Sequence, residues 1–313
     1  DYLRRLVDPD LHAPVHDEFT AGVEHQLFKD FAVKLTYVHK KKTDIFGWGK
    51  YDLATEKYWY TLEQAANWYV PFTTTVPAYG AFPEQTVTVY FMSADSPYDT
   101  MVYIKTNFPQ AFTKYDGLEL SFDKRFTHGW SLGGSATFSK TTSFACGDSP
   151  NDFVNAPGRD GYDVPFMMKL YGTFDLPYGF VASFFLNYRV GYPWGRSVSI
   201  VPPDDWADAN NIVPWSVWVM LEQNGSRREQ DYTNFDFHLE KEFKLPFGTI
   251  GAFVDIYNLL GNRYVNYGLN PISEWFPVAE GTNQGTYTMD YDYGRVTSIS
   301  ATRLFKFSIR YKF

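Results

Sequence analysis

Few residues of this 313-residue chain have the types and spacing that catalysis or metal binding requires. The histidines are dispersed and lie at positions 12, 16, 25, 39, 128 and 238. His12 and His16 have the four-residue spacing of two metal ligands on a helix, but Pro14 lies between them and disrupts a helix. Cys146 is the only cysteine, so an intrachain disulfide cannot form. The sequence therefore predicts no catalytic, metal-binding or cofactor-binding residue, and we expect the protein not to be an enzyme.

Aromatic and acidic side chains concentrate in one polar stretch, residues 192–231. The candidate ligand contacts are Trp194, Trp206, Trp215, Trp218, Asp204 and Asp205, together with Trp275 in the next long polar stretch. Rings and carboxylates together could stack on and hydrogen-bond a sugar, a peptide or a cationic ligand of small size. Alternatively, the rings pack one loop against another or lie at a membrane boundary, and this is the interpretation we prefer.

The composition fits two kinds of protein and argues against a third. Aromatic residues make up 19% of the chain, and Trp and Tyr are enriched where rings lie at a membrane–water boundary. A secreted carbohydrate-binding sandwich also displays aromatic residues, so composition alone leaves both open. The net charge of −8 argues against nucleic acid as a partner, because nucleic-acid binding requires a basic surface.

Alternation with period two predicts an all-β protein with about nine long strands. The predicted strands are 17–28, 31–46, 112–126, 130–142, 164–176, 180–191, 232–243, 248–258 and 303–313. Their lengths are at or slightly above the roughly 9–11 residues that a tilted strand needs to cross a bilayer. Strands of soluble proteins are commonly about five or six residues long.

The predicted strands each have one apolar and one polar face. In the segment 234–243, Phe235, Phe237 and Leu239 share one face, and polar residues occupy the other. Phe305 and Phe307 begin the same alternation in the last strand. A transmembrane barrel directs its polar face to an aqueous lumen and its apolar face to lipid. The charged residues that fall on apolar faces lie near strand ends, where a long side chain can reach the headgroups: these are Lys124, Lys241 and Arg303.

Short and long connections alternate along the chain. The short turns are 29–30, 127–129, 177–179 and 244–247, and the long connections are 47–111, 143–163, 192–231 and 259–302. Bacterial outer-membrane barrels have this pattern, with short turns in the periplasm and long loops outside the cell. We therefore predict an antiparallel transmembrane β-barrel in the bacterial outer membrane, with lipid as a partner. Within the first long connection, Thr86–Met92 and Met101–Thr106 could form an additional hairpin.

The number of predicted strands is odd, whereas single-chain bacterial barrels have an even number. The predicted strand order places residues 1–16 outside the cell. We therefore expect residues 1–313 to be a single β-barrel segment that lacks the N-terminal strands of a larger barrel.

Six blocks of the sequence resemble TonB-dependent outer-membrane receptors. They include YDGLELSFDKRFTHGWSLGGSATFSKTT (115–142), DVPFMMKLYGTFDLPYGF (163–180), GYPWGR (191–196), DFHLEKEFKLPFGTIGAFVDIYNLLGN (236–262) and the ending RLFKFSIRYKF. The sequence is most similar to Oar-type receptors, which carry a carboxypeptidase-regulatory-like N-terminal domain. This resemblance covers nearly all of the predicted strands and is lost in the long connections.

The resemblance implies that the chain is the C-terminal part of a barrel of about 22 strands with a plugged lumen. Coupling to the TonB complex is implied through a plug domain that has no counterpart in these 313 residues. The resemblance also implies that the barrel-assembly machinery recognises the C-terminal alternation formed by Phe307, Ile309, Tyr311 and Phe313.

These observations favour a receptor that takes up a scarce nutrient with TonB-coupled energy. A structural or adhesive barrel and a passive porin are the alternatives within the membrane. A soluble lectin-like sandwich is the alternative outside it, and burial of Phe235, Phe237, Phe305 and Phe307 between two stacked sheets would support that alternative.

Overall fold

The computed structural model describes residues 5–58, 63, 68–97, 99–144, 147, 149–267, 274–277, 285–288, 294–300 and 302–313. In the first half, the strands are β1 (Arg5–Val7), β2 (Val15–Phe28), β3 (Phe31–Thr43), β4 (Phe46–Asp52), β5 (Lys57–Tyr58), β6 (Tyr69–Val76), β7 (Gln85–Met92), β8 (Met101–Asn107), β9 (Phe112–Thr127), β10 (Trp130–Phe144), β11 (Gly158–Arg159) and β12 (Phe166–Leu176). The remaining strands are β13 (Phe180–Arg189), β14 (Pro193–Trp194), β15 (Ser197–Ile200), β16 (Val217–Met220), β17 (Arg227–Arg228), β18 (Tyr232–Leu245), β19 (Gly248–Tyr257), β20 (Val265–Tyr267), β21 (Glu274–Pro277), β22 (Gly285–Thr288), β23 (Val296–Ile299) and β24 (Leu304–Lys312). One short helix, α1 (Asp204–Ala209), and two 3₁₀ turns, Pro150–Phe153 and Pro177–Gly179, complete the described elements. Within these residues, no helix is both long and apolar enough to cross a bilayer.

Nine long strands form one antiparallel sheet, which we call the wall. Its order is β2-β3-β9-β10-β12-β13-β18-β19-β24, and β11 pairs with the C-terminal end of β10. Each wall strand pairs with the wall strand before and after it in the sequence, so the sheet is a meander. All nine predicted strands are confirmed, with ends that move by up to three residues. The largest change is at the second predicted strand, which ends at Thr43 and not at 46 because Asp44 adopts a φ of +53° and bends the chain.

The apolar side chains of neighbouring wall strands lie opposite one another. Phe237 pairs with Ile256 and Leu239 with Val254, and Val254 in turn pairs with Phe307 on β24. The register continues this apolar face across the wall, with His25 of β2 as a polar residue within it. Phe307 is 74% exposed on this face, and the buried apolar clusters all lie outside the wall. The expectation for a soluble sandwich, in which these rings would be buried, is contradicted, because such a continuous apolar face requires an apolar solvent.

Four tight turns close one end of the wall. The turn between β9 and β10 consists of His128 and Gly129, which have φ values of +54° and +81°. Two consecutive positive φ values are what a type I′ hairpin turn requires, because this turn matches the twist of the flanking strands. This turn and the one before Gly248 are each shorter than predicted, since the strands continue to Thr127 and Leu245.

Lys124 lies on the apolar face near a strand end and binds polar groups of the neighbouring turns. Its Nζ lies 3.1 Å from Asp30 in the neighbouring turn and donates to the carbonyl oxygens of Arg125 and Trp130 at 3.0 and 3.1 Å. The ammonium also lies 4.0 Å from the centre of the Trp130 ring. Lys124 is therefore buried, and its charge is held by the turns.

The first long connection extends the wall without adding strands to it. β4 continues from β3 and pairs with β8, which leads back into β9. The proposed hairpin of Thr86–Met92 with Met101–Thr106 is wrong in its pairing, although both segments are strands. β7 pairs with β6 and β8 pairs with β4, because Val89 and Phe91 of β7 are buried in a different cluster from the residues of β8.

Candidate ligand-binding groove in the loop layer

The long connections pack together at the end of the wall opposite the tight turns, and we call this region the loop layer. It comprises loop A (44–111), loop B (145–165), loop C (190–231) and loop D (258–303). Its largest apolar core contains Phe72, Val76, Val87, Val89, Phe91, Val198, Ile200, Ala207, Ile212, Val219, Leu221 and Trp275. These residues come from loops A, C and D, and each fully buried side chain of this size contributes about 1.5–3 kcal/mol. The loop layer therefore has a core of its own.

A buried ion-pair cluster connects loop C to loop A. Glu222 accepts hydrogen bonds from Nε of Arg196 and from Nε of Arg227, both at 2.7 Å. Arg196 is 1% exposed and also donates from Nη2 to the carbonyl oxygen of Pro83 at 3.1 Å. Burial acts to raise the pKa of Glu222, but hydrogen bonds from Arg227 and Arg196 outweigh it and lower the pKa to about 2. The carboxylate is therefore charged at neutral pH and holds Arg196, whose hydrogen bond to Pro83 links the two loops.

Loop B is attached to loops A and C by several further contacts, two of them through the buried side chains of Asn151 and Asp163. Asn151 pairs with the backbone of Tyr90 through hydrogen bonds of 2.9 and 2.8 Å, as another strand would. Asp163 is fully buried and accepts a hydrogen bond of 2.5 Å from Nη2 of Arg228. Because Arg228 also donates to the carbonyl oxygen of Gly191, this contact fixes where loop C leaves the wall.

An open groove with a volume of about 370 Å³ lies between loops A, B and C. Six aromatic residues line it: Tyr69, Tyr90, Phe91, Tyr103, Trp215 and Trp218. The tyrosines come from β6, β7 and β8, and the tryptophans flank the start of β16. The groove thus has ring faces on several sides, which suits a ligand with flat apolar surfaces.

Polar groups of both signs also line the groove. Lys50 is buried and donates from Nζ to the hydroxyl group of Tyr69 at 3.1 Å. Asp152 lies at the other side, on the 3₁₀ turn of loop B, and is exposed. Met92 and Met101 add flexible apolar surface. The groove can therefore stack on a ligand and hydrogen-bond its polar groups.

The structure brings together two of the candidate contacts predicted from the sequence. Trp215 and Trp218 lie in the groove and are 59% and 55% exposed. Trp194 lies elsewhere, with its ring 5.7 Å from the guanidinium group of Arg227. Of these three tryptophans, only Trp215 and Trp218 are therefore available to a ligand in the groove.

The other predicted contacts have different surroundings. Trp275 is 1% exposed and belongs to the apolar core, and the ring of Trp206 packs 4.7 Å from that of Phe72. These two rings pack loop against loop. Asp204 and Asp205 are exposed in the first turn of α1. Residues at the C-terminal end, Phe307, Ile309, Tyr311 and Phe313, are exposed on the apolar side of the edge strand β24 or directly after it.

Sequence reasoning missed the tyrosines and Lys50. Tyr90 and Tyr103 lie in the two segments recognised as strands within loop A, so their strand location was accessible from the sequence. The pairing of these strands was not accessible from the sequence. That pairing decides that Tyr90 and Tyr103 line the groove together with Trp218. Cys146 lies outside the described residues. Among those that are described, no group of three or more His, Cys, Asp or Glu residues is arranged to hold a metal ion.

Comparison with known families identifies the wall. A family model described as "Outer membrane beta barrel domain" matches residues 4–195, which is more than half of the chain. This chain belongs to the outer membrane beta barrel domain family. The barrel domain continues the same meander beyond the matched residues, through β18, β19 and β24. In bacterial barrels the short turns face the periplasm and the long loops face outside, so the loop layer and its groove are extracellular.

Several solved outer-membrane proteins are similar to this barrel domain. The outer membrane transporter YddB from Escherichia coli is 14% identical, with a TM-score of 0.46, over 98% of this chain and 34% of that chain. The ferripyoverdine receptor of Pseudomonas aeruginosa is 10% identical, with a TM-score of 0.47, over 96% and 27%. The FrpB iron transporter from Neisseria meningitidis is 8% identical, with a TM-score of 0.45, over 97% and 32%.

The barrel domain therefore spans only about a quarter to a third of the length of these structures. No curated protein matches the sequence.

Proposed function

We propose that this barrel domain belongs to a receptor that binds a scarce nutrient outside the cell and takes it up with TonB-coupled energy. The observation that carries the proposal is the extracellular groove, in which Trp215 and Trp218 expose more than half of their surface beside three tyrosines. The resemblance of the wall strands to TonB-dependent receptors supports the energy coupling. In this proposal, TonB acts on a plug domain in the lumen, and the loop layer supplies the binding surface.

The polar face of the wall supports passage of a hydrophilic ligand. On the last three strands, His238 lies 2.6 Å from Asp255, and Lys306 lies 3.8 Å from the same carboxylate. Glu242 pairs with Lys312 at 2.9 Å. Charges of both signs line this face, so a ligand that leaves the groove meets groups that can replace its hydration.

Energy-dependent uptake is the test that separates this proposal from its alternatives. The test uses cells whose only gene copy encodes the full-length protein. They are given labelled iron–siderophore complexes, cobalamin, oligosaccharides and peptides, with and without an uncoupler of the proton-motive force. We expect one class to accumulate and the uncoupler to abolish that accumulation. Accumulation that persists with the uncoupler indicates a passive porin, and lack of accumulation of every class supports a structural or adhesive barrel.

The groove itself is tested with a double variant, Trp215→Ala and Trp218→Ala. Loss of ring stacking costs about 1–3 kcal/mol for each ligand ring, so uptake at low ligand concentration falls by at least about tenfold. Tyr162→Ala is the matched control, because Tyr162 is an exposed ring of loop B outside the groove. Equal uptake by both variants would remove the groove from the proposal.

A further inference from the structure

Cations gather on the lipid-facing side of the wall, directly above its apolar band. On β3, the outward side chains from Phe31 to Tyr37 are apolar or aromatic. Lys41 follows on the same face, four residues after Tyr37. On β10, the outward side chains from Leu132 to Phe138 are apolar, and Lys140 follows immediately. The change from apolar to basic thus occurs at the extracellular ends of β3 and β10, the two strands that flank β9.

The strand register brings four of these cations together. Lys41 of β3 lies directly opposite Lys114 of β9, and Lys114 lies opposite Thr142 of β10. Arg159 of β11 pairs with Thr142, and Lys140 lies two residues before Thr142 on the same face of β10. We call Lys41, Lys114, Lys140 and Arg159 the rim patch.

The protein neutralises the rim patch only in part. Lys41 and Lys140 are exposed and form no salt bridge within the described part of the chain, although Asp17 lies opposite Lys41 and Asp116 lies opposite Lys140. Lys114 lies 3.4 Å from Asp116, but the same carboxylate accepts from Tyr37 at 2.9 Å and lies 2.7 Å from His39. Like charges directly opposite each other on neighbouring strands are destabilising. An anion from outside the chain would relieve the repulsion between Lys41 and Lys114.

The periplasmic end of the same face differs. There, the ammonium group of Lys124 is bound by Asp30 and by carbonyl oxygens of the turns. Its charge is therefore satisfied within the protein, whereas Lys41 and Lys140 extend into the surroundings. The asymmetry indicates that the rim patch has a partner that is present only on the extracellular side.

An open pocket of about 430 Å³ adjoins the rim patch. Lys140, Thr142 and Arg159 line it, together with Gln223, Asn224 and Ser226 of loop C. Nη1 of Arg159 is buried without a hydrogen-bond partner within the described residues, although it lies 3.7 Å from Asp163. A phosphate group would find two cations and several polar groups at the base of this pocket.

We propose that the rim patch binds the phosphate of an anionic lipid headgroup in the outer leaflet. The position favours a lipid and not a free anion. The acyl chains below such a headgroup would lie on Leu118 and Phe138, which are exposed on the apolar band. Phe138 lies two residues from Lys140, and Leu118 lies four residues from Lys114. A basic cluster beside a membrane-spanning segment is the arrangement that recognises anionic lipids.

The proposal is tested by titrating lipid onto the full protein in detergent and counting bound molecules by native mass spectrometry. The probes are phosphatidylglycerol and phosphatidylcholine with identical acyl chains. One cation near an anionic surface strengthens binding by about fivefold, so we expect a preference for phosphatidylglycerol of at least about tenfold. The triple variant Lys41→Gln, Lys114→Gln and Lys140→Gln should lose this preference. Equal binding of both lipids by the unmodified protein would overturn the proposal.

A matched control removes the same charge from the polar face, through Lys34→Gln, Lys169→Gln and Lys306→Gln. This variant should keep the preference, and an equal loss in both triple variants would show an effect of net charge alone and overturn the rim patch. A second variant with Arg in place of Lys41, Lys114 and Lys140 keeps the charge and should keep the preference, which separates charge from misfolding. Displacement of phosphatidylglycerol by excess inorganic phosphate would identify a free-anion site and overturn the lipid proposal.

Discussion

Removal of the Glu222 carboxylate should open the loop layer and leave the wall intact. Arg196 is 1% exposed in the unmodified protein; the Glu222→Ala variant removes its counter-ion, and Arg227 loses both of its hydrogen bonds to the carboxylate. Leaving one member of a buried ion pair without its partner costs about 3–5 kcal/mol. The described hydrogen-bond partners of Glu222 lie in loop C and not in the wall. We therefore expect a local opening of the loop layer and not global unfolding.

The pKa of Glu222 gives a second measure of the same interaction. Folding lowers this pKa from 4.5 to about 2. At about 1.4 kcal/mol for each pKa unit, the charged carboxylate stabilises the loop layer by about 3 kcal/mol. A group with a lowered pKa contributes this stability above its unfolded pKa, and loses it as the pH falls through the folded value. The loop layer of the unmodified protein should therefore loosen between about pH 4.5 and pH 2.

Hydrogen–deuterium exchange of the full protein in detergent measures both effects. The backbone amides of Val198 and Val219 lie in the paired strands β15 and β16 beside the cluster. Their exchange in Glu222→Ala should accelerate on the order of 100-fold, as an opening free energy lower by about 3 kcal/mol requires. Amides of the wall should keep their protection. Glu18→Ala is the control, because the exposed pair of Glu18 with Lys40 is worth at most about 1 kcal/mol. Unchanged exchange at Val198 and Val219 would refute the reasoning.

Three further changes should separate the roles of the loop layer, the wall and the turns. Trp275→Ala removes a core ring and should open the loop layer by about 3–5 kcal/mol, measured by the same exchange. Gly172→Val should destabilise the wall by about 1–3 kcal/mol, because even a Cβ at this position would lie 2.9 Å from the backbone carbonyl oxygen of Ser131, and urea unfolding of the folded barrel measures it. Lys124→Met leaves Asp30 without its cation, and since hydrogen bonds from Thr127 and Lys124 lower the pKa of Asp30, thermal stability should fall most above pH 4.

Each of these changes has a control. Trp218→Ala removes an exposed ring and should leave amide exchange in the core unchanged, which distinguishes packing from the loss of any tryptophan. Gly161→Val places a side chain where no atom lies within 4 Å of a Cβ, so unfolding of the wall should not change. Lys306→Met removes an exposed cation whose Nζ lies 3.8 Å from Asp255, and a loss of stability as large as that of Lys124→Met would refute the special role of the turn.

The wall could be predicted from the sequence because its strands alternate strictly and are joined by tight turns. Phe305, Phe307 and Ile309 fall on one face whatever surrounds them, and a turn of two residues determines which strand pairs next. The loop layer could not be predicted in this way. β7 pairs with β6 and not with β8, and this pairing depends on contacts between loops that are far apart in the sequence. The groove depends on that pairing, so only its tryptophans were found.

The same alternation serves two different solvents in this chain, which explains why rings in the loops were difficult to assign. In β7, Val87, Val89 and Phe91 point into the core of the loop layer, whereas in β24, Phe305 and Phe307 point outward to lipid. Hydrophobic period alone cannot distinguish these cases. Strand length and connection length can, because a strand that crosses the bilayer needs about 9–11 residues and β7 has eight.

The loop A side of the groove is joined to the wall through one pair of strands, β4 and β8, and this connection limits how that side can move. β8 carries Tyr103 of the groove and reaches the wall strand β9 through only four residues, 108–111. Phe108 within that link is buried, and a Cβ on Gly47 of the facing strand would lie 2.6 Å from its ring. Tight packing at this position makes the β4–β8 pair a rigid continuation of the wall. A ligand that displaces Tyr103 must therefore act on β9, whereas Trp215 and Trp218 belong to loop C and can move without the wall.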